Sequence, residues 1–170
     1  MRRLSKNIRK IIKVLDKHKV EYVIVGGVGS ILLGANIFTK DIDVCPKNDK
    51  ENFSRLSEAL KELGGKLRGA EDVDFPIVPE LLQNIQIGTW TTNYGDFDII
   101  HDIPAGVDGA LYAYDQLIEN QVDKTVVGIR VHVASLKDIV ASKRFAGRAK
   151  DLAVLPELEE LLKQQEEDLG

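Results

Sequence analysis

The sequence predicts a mixed α/β (α+β) fold, a mixed β-sheet of about five to six short strands flanked by helices. Three observations carry this expectation. Apolar residues recur at helical spacing in several segments. Short β-branched runs bounded by glycine or proline lie between them. The 170 residues, 44% hydrophobic and 29% charged, are enough for one compact core. Residues 1–170 are expected to form a single domain, with its core at about 20–155 and amphipathic helices at both ends.

Each element has its own warrant. Leu4, Ile8, Ile11, Ile12 and Leu15 form the apolar stripe of a first helix, with basic residues between them. Residues 20–25 read as a β-branched first strand. Gly26, Gly27 and Gly29 form its exit, and residues 30–33 open a second helix. Residues 41–45 are the next strand, stopped by Pro46. Asn48 or Asp49 caps a third helix whose stripe is Phe53, Leu56, Leu60 and Leu63, ended by Gly64. Residues 64–82, with Gly69, an acidic cluster and two prolines, read mostly as loop. Residues 84–91 and 96–101 read as two strands around a turn at 93–95. Residues 111–119 read as helical. Residues 122–127 and 129–133 are strand-like, with Gly128 as a turn or bulge between them. Ser135 followed by Asp138 starts a helix that runs to about Phe145. Pro156 suits the first turn of a last helix, with Leu158, Leu161 and Leu162 inward.

Composition excludes some classes. One cysteine, Cys45, permits no intrachain disulfide, in keeping with a reducing, cytoplasmic location. The first nineteen residues are too charged for a secretory h-region, and the longest apolar stretch, 22–35, is too short for a membrane span. The net charge of −4 hides an asymmetry. Arg2, Arg3, Lys6, Arg9, Lys10, Lys13, Lys17 and Lys19 face Asp16 alone in residues 1–19, while residues 157–168 are acidic. The basic end is either a local phosphate track or, the blander reading, a solvated helix face packed near the acidic end.

The chemistry concentrates in VIVGGVGSILLGANIFTKDIDVCP, residues 23–46. A P-loop needs lysine and Ser/Thr directly after its last glycine, but Ala35 and Asn36 follow Gly34. A dinucleotide fingerprint needs a third glycine where Leu32 stands. What remains is a glycine turn after a strand, able to bring backbone close to a phosphate, with Ser30 as an added hydroxyl. Alternation along a strand aims Asp41 and Asp43 the same way, with Ile42 and Val44 turned into the core. Two neighbouring carboxylates repel unless solvated or bridged by a cation, and oxygen-only ligands suit Mg²⁺ or Mn²⁺. Asp98, between Phe97 and Ile99, is the candidate third carboxylate; Asp96 shares its face. Lys143 continues the inner stripe of Leu136, Ile139 and Val140. Such a lysine either meets the carboxylates and a bound triphosphate or snorkels out at the helix end.

The order G-G-x-G-S, T-K-D-I-D, then an apolar-Asp-apolar strand resembles the polymerase-beta-type nucleotidyltransferase superfamily. Within it, the pattern resembles small AbiEii-like nucleotidyltransferases, which include toxins of abortive-infection and toxin–antitoxin systems. The segment S-K-R-F-A-G-R-A-K-D-L, residues 142–152, looks like their later basic stretch. The resemblance spans roughly residues 23–155. It implies that Asp41 and Asp43 are a metal-binding pair for Mg²⁺ or Mn²⁺. Asp98 would be the third carboxylate of a two-metal site, either a ligand of the second cation or the general base that helps to deprotonate the attacking hydroxyl. Gly26, Gly27 and Ser30 would hold the triphosphate of an NTP, with Lys143, helped by Arg144 or Arg148, on the phosphates. The implied reaction moves an NMP from an NTP to an acceptor hydroxyl on RNA, protein or a small molecule. The implied protein partners are a second copy of the chain in a homodimer or a cognate antitoxin. The alternative is a catalytically inactive nucleotide-binding or antitoxin-like partner protein with the same fold.

Some residues carry weaker readings. Asp151 is a helix cap or an extra site acid. His101 is a surface histidine or approaches the site. Cys45 is an inert buried thiol, and Trp90 is a core filler or a base-stacking ring. His18 and His132 give no signal.

Overall fold

The computed structural model describes residues 4–170, so Arg2 and Arg3 of the basic end lie outside the described residues. Helix α1 (Lys6–Lys17) is capped by Ser5, whose Oγ accepts the Ile8 N–H at 3.1 Å. Its predicted stripe, Ile8, Ile11, Ile12 and Leu15, is fully buried. Strand β1 (Tyr22–Val25) runs straight into α2 (Gly26–Leu32), and β2 (Ile42–Pro46) follows. Helix α3 (Lys50–Glu62) is capped by Asp49, which accepts the Asn52 N–H at 2.7 Å. Then come β3 (Lys66–Leu67), α4 (Pro79–Asn84), β4 (Ile87–Thr92), β5 (Gly95–Ile100), β6 (Asp102–Pro104) and β7 (Leu111–Ala113). Helix α5 (Tyr114–Leu117), β8 (Val122–Val126), β9 (Ile129–Val133), α6 (Leu136–Ala146) and α7 (Ala149–Leu169) complete the chain.

Seven strands form one mixed sheet in the order β3-β4-β5-β2-β1-β9-β8, and β6 pairs with β7 apart from it. β1 pairs antiparallel with β2 and parallel with β9, while β2 pairs parallel with β5. The central strand β1 is buried along its whole length, as its continuous apolar run requires. The register sets Val25 opposite Asp43 and Asp43 opposite Asp98. Among the described residues, no helix is long and apolar enough to cross a membrane.

All six predicted strands form. The sheet is nevertheless larger, because 64–82 contains β3 and α4 as well as loop. A two-residue strand leaves no periodic pattern to detect. Residues 111–119 are not one helix. Leu111–Ala113 pairs with β6, and helical geometry begins only at Tyr114, where Leu117 supplies the one buried anchor of α5. The second helix starts at Gly26 rather than Ser30, so the glycines are its first turn. The last helix starts at Ala149, and Pro156 lies inside it. Proline offers no N–H to the carbonyl four residues back; that residue, Leu152, is exposed, so water can satisfy it.

Among the described residues, charge pairing does not join the basic and acidic ends. Lys17 of α1 pairs with Glu62, and Lys10 lies 4.9 Å over the Tyr94 ring. The acids of α7 instead engage Arg144, through Glu159, and the Asn36 N–H, through Glu157.

Asn52 locks the β1–β2 pair at the end away from the aspartates. It is fully buried; its Oδ1 accepts the Glu21 N–H at 2.8 Å, and its Nδ2 donates to Glu21 O at 2.8 Å and Lys47 O at 2.9 Å. Asn52→Ala strands a Glu21 N–H and a Lys47 carbonyl that are part-buried. It is expected to destabilise the protein by about 2–4 kcal/mol, read by urea denaturation.

Candidate active site

The site begins where β1 ends. Gly26 has φ +65, a left-handed conformation that suits glycine, and a Cβ there would fall 2.1 Å from Asp43 Oδ2. The missing side chain is the seat of the Asp43 carboxylate. A Cβ on Gly27 would meet Thr39 Cβ at 3.0 Å, and one on Gly29 would meet Ile139 Cδ1 at 3.1 Å. The glycines thus press α2 against the loop before β2 and against α6. No side chain caps α2. Ser30 is fully buried, and its hydroxyl donates to Gly26 O at 3.0 Å. It braces the glycine turn from within and does not face outward as a phosphate contact would.

The carboxylates cluster as the strand alternation requires. Ile42 and Val44 are fully buried, and Asp43 projects to the other side. Asp43 and Asp98 are register partners on neighbouring parallel strands, close enough to share a hydrogen bond. Burial, the Asp98 charge, that shared bond and Asp41 push the Asp43 carboxyl up to about 7, with Lys143 opposing. Asp41 stands one residue before β2. It too is raised, by burial and by Asp96 and Asp98, against Arg68 and Lys150. Asp96 therefore belongs to the same cluster.

Arg68 was not legible as a site residue. It follows β3 in the stretch read as loop. Its Nη2 donates to Asp98 Oδ1 at 2.6 Å and to Trp90 O at 3.3 Å, and its Nε lies 3.4 Å from Asp96 Oδ2. A single arginine after a two-residue strand carries no periodicity, so only the pairing of β3 with β4 reveals it.

The basic segment divides. Lys143 is mostly buried, with Nζ 3.5 Å from Asp151 Oδ1, and its charge reaches Asp43. Asp151 is the hub that holds it. This buried carboxylate accepts Arg148 Nε at 2.6 Å and Nη2 at 3.2 Å, and also accepts the Arg148 backbone N–H. Burial works against its charge, but Arg148 and Lys143 overcome that and hold it below the usual carboxylate range. Asp151 thus caps α7 and anchors Lys143 at once. Arg144 is exposed; its Nε donates to Glu159 at 2.9 Å, tying α6 to α7 rather than joining the carboxylates.

The weaker candidates resolve as structural groups. His101 stacks on Phe53 at 5.5 Å, and its Nε2 lies 3.0 Å from Leu82 O. Cys45 is buried, donates to His101 O, and has its thiol pushed up to about 12 by burial and by Asp102. Trp90 is a core residue. His18 lies 3.0 Å from Glu62, and His132 lies 3.0 Å from Asp123. A cavity of about 120 Å³ between α1, α5 and β9 contains none of the clustered aspartates.

Asp41, Asp43 and Asp98 offer only oxygen donors, and the raised Asp43 carboxyl marks negative charge that a cation would relieve. The donor chemistry fits a divalent cation. Among the described residues, though, no three acidic, histidine or cysteine side chains stand as a ready cage. Asp98 turns one oxygen toward Arg68 instead.

The profile of a protein family described as "Nucleotidyltransferase of unknown function (DUF6036)" matches residues 1–166. The chain belongs to this nucleotidyltransferase family. The structure of the lincosamide antibiotic adenylyltransferase LnuA with lincomycin bound is similar at a TM-score of 0.61 and 16% identity, covering 93% of this chain and 98% of that one. The antibiotic-resistance factor ANT(2'')-Ia in solution is similar at 0.57 and 14%, covering 96% and 92%. Its crystal structure with adenylyl-2''-tobramycin gives 0.55 and 16%, covering 96% and 97%. No curated protein sequence matches the chain. At these identities the likeness establishes a shared fold, and this nucleotidyltransferase family member carries the mixed sheet with flanking helices that its sequence predicts.

The raised Asp43 carboxyl has a consequence with a definite sign. The native state holds this proton more tightly than the unfolded chain, whose aspartate titrates near 4. Stability linked to Asp43 is therefore lost as pH rises from about 4 to about 7. Asp43→Asn is expected to be more stable than wild type at pH 8, by up to about 4 kcal/mol. The gain should shrink toward pH 5, as followed by thermal melting at both pH values.

Proposed function

We propose that this chain transfers a nucleoside monophosphate from an NTP to an acceptor hydroxyl, with residues 1–170 acting as one nucleotidyltransferase domain. The observation that carries the proposal is the in-register Asp43–Asp98 pair, seated against Gly26 and faced by Lys143. A protein using this fold as a scaffold gains nothing from crowding like charges there.

Asp41 and Asp43 would hold a divalent cation, Mg²⁺ or Mn²⁺. Such a cation supplies charge stabilisation on the triphosphate and the leaving pyrophosphate. Gly26 and Gly27, the first residues of α2, would offer backbone N–H groups to the phosphates. Lys143, positioned by Asp151, offsets the charge that builds on them. Asp98 accepts the proton of the acceptor hydroxyl as its oxygen attacks the α-phosphorus. A new P–O bond forms, the bond from the α-phosphorus to the bridging oxygen breaks, and pyrophosphate leaves. Asp43 must be ionised for this, so cation binding should weaken as pH falls below about 7, where the proton on the raised Asp43 carboxyl competes with the cation.

The acceptor we favour is a small hydroxylated molecule. Two observations support it. The similar structures of LnuA and ANT(2'')-Ia, matched over nearly their whole length, hold lincomycin and adenylyl-2''-tobramycin. The basic first helix, in contrast, has Lys17 committed to Glu62 and Lys10 to Tyr94, and the chain is acidic overall, which disfavours a polyanionic acceptor. An AbiEii-like toxin acting on RNA or protein is the second reading, resting on the sequence pattern of residues 23–155.

The test is an α-labelled NTP assay with Mg²⁺ against small hydroxylated antibiotics and sugars, RNA and protein. We expect label on a small molecule, with pyrophosphate released, and a loss of about 10²–10⁴-fold in Asp98→Asn. Label on RNA or protein alone would select the toxin reading. No transfer to any acceptor would leave the inactive nucleotide-binding or antitoxin-like protein.

A further inference from the structure

We propose that Arg68 is the positioning residue of this site. It holds Asp98 in place for the acceptor proton, and its fixed charge competes with the divalent cation for the carboxylates. The inference rests on the nucleotidyl-transfer reading and adds to it a residue that the motif does not contain.

β3 pairs with β4 so that Lys66 faces Thr91 and Leu67 faces Trp90. The next residue, Arg68, continues the ladder by donating its N–H to Thr89 O at 2.9 Å. Thr89 faces Asp98, and Asp98 faces Asp43. Arg68, Thr89, Asp98 and Asp43 therefore form one row across four strands, and residues in register share a face. Two strand spacings, about 9.6 Å, separate Arg68 from Asp98 across the small Thr89. A long arginine and a short aspartate together close such a gap, which accounts for the 2.6 Å bond to Asp98 Oδ1.

The bond fixes one oxygen of Asp98. The guanidinium also leans on Asp96 Oδ2 at 3.4 Å and acts on Asp41. A planar fork can brace two carboxylates at once, whereas an ammonium acts as a point charge. Asp98 is thereby held by Oδ1, with its carboxylate beside Asp43, with which it shares a hydrogen bond. At the same time Arg68 reduces the negative charge that a cation would meet at Asp41 and Asp98. Orientation helps transfer, and the charge opposes cation binding. Removing Arg68 must then move the two properties in opposite directions. A merely structural arginine would weaken both or leave cation binding alone.

The test is Mn²⁺ binding by electron paramagnetic resonance at pH 8, with NTP kinetics, on wild type, Arg68→Ala and Arg68→Lys, each checked for folding by circular dichroism. Arg68→Ala is expected to tighten Mn²⁺ binding at least about threefold while kcat falls about 30-fold or more and KM for the NTP changes little. Arg68→Lys should bind Mn²⁺ as wild type does and still lose most of kcat. Arg68→Gln, which keeps a hydrogen-bond donor without the charge, repeats the Mn²⁺ measurement if the alanine variant fails to fold. Unchanged or weaker Mn²⁺ binding in a folded, uncharged variant would overturn the proposal, as would a wild-type kcat. Failure of the wild-type protein to bind Mn²⁺ at all would instead remove the nucleotidyl-transfer reading beneath it.

Discussion

Two aspartates set opposite each other on neighbouring parallel strands repel, and their neighbours in the site answer that repulsion. Asp43 and Asp98 sit at the middle of the sheet with their side chains largely withdrawn from solvent, where charge is poorly solvated. Gly26 withholds a side chain so that the Asp43 carboxylate has a place to lie. Arg68 comes from the sheet edge to Asp98, and Lys143 comes from α6 to Asp43. Asp151, itself buried, anchors Lys143 and Arg148 across the α6–α7 junction. These cations only partly offset the pair, since the Asp43 carboxyl still stands near neutral pH. That residual demand for positive charge is the physical basis for reading the cluster as a cation and triphosphate site.

Much of this was legible in the chain. The alternation of Ile42, Asp43 and Val44, and of Phe97, Asp98 and Ile99, placed the aspartates on one face because strand periodicity is strict. The inner position of Lys143 followed from helical spacing. Glycine's low helix propensity made residues 26–29 look like a loop, although tertiary packing against Thr39 and Ile139 draws them into α2. Ser30 was read by residue type, but its direction depends on where the helix begins. Arg144 shares a basic segment with Lys143, yet one step along a helix turns it about 100° away, toward Glu159. Arg68 depended on the pairing of a two-residue strand, a long-range fact that no local pattern records.

Family membership and site geometry constrain different things. The family and the similar folds establish the nucleotidyltransferase architecture. The acceptor depends on surfaces around the cluster that vary freely on a common fold. The chemistry proposed here needs only the few residues that converge on Asp43 and Asp98. It can therefore be examined before any acceptor is known.

The most direct examination is calorimetric titration of ATP, GTP, CTP and UTP into the protein at pH 8, with and without Mg²⁺, on wild type and Asp43→Ala. The account predicts binding of at least one NTP to wild type that requires Mg²⁺ and disappears in the variant while the fold is retained. The contradicting result is binding indifferent to both Mg²⁺ and Asp43, or no binding by wild type at millimolar nucleotide.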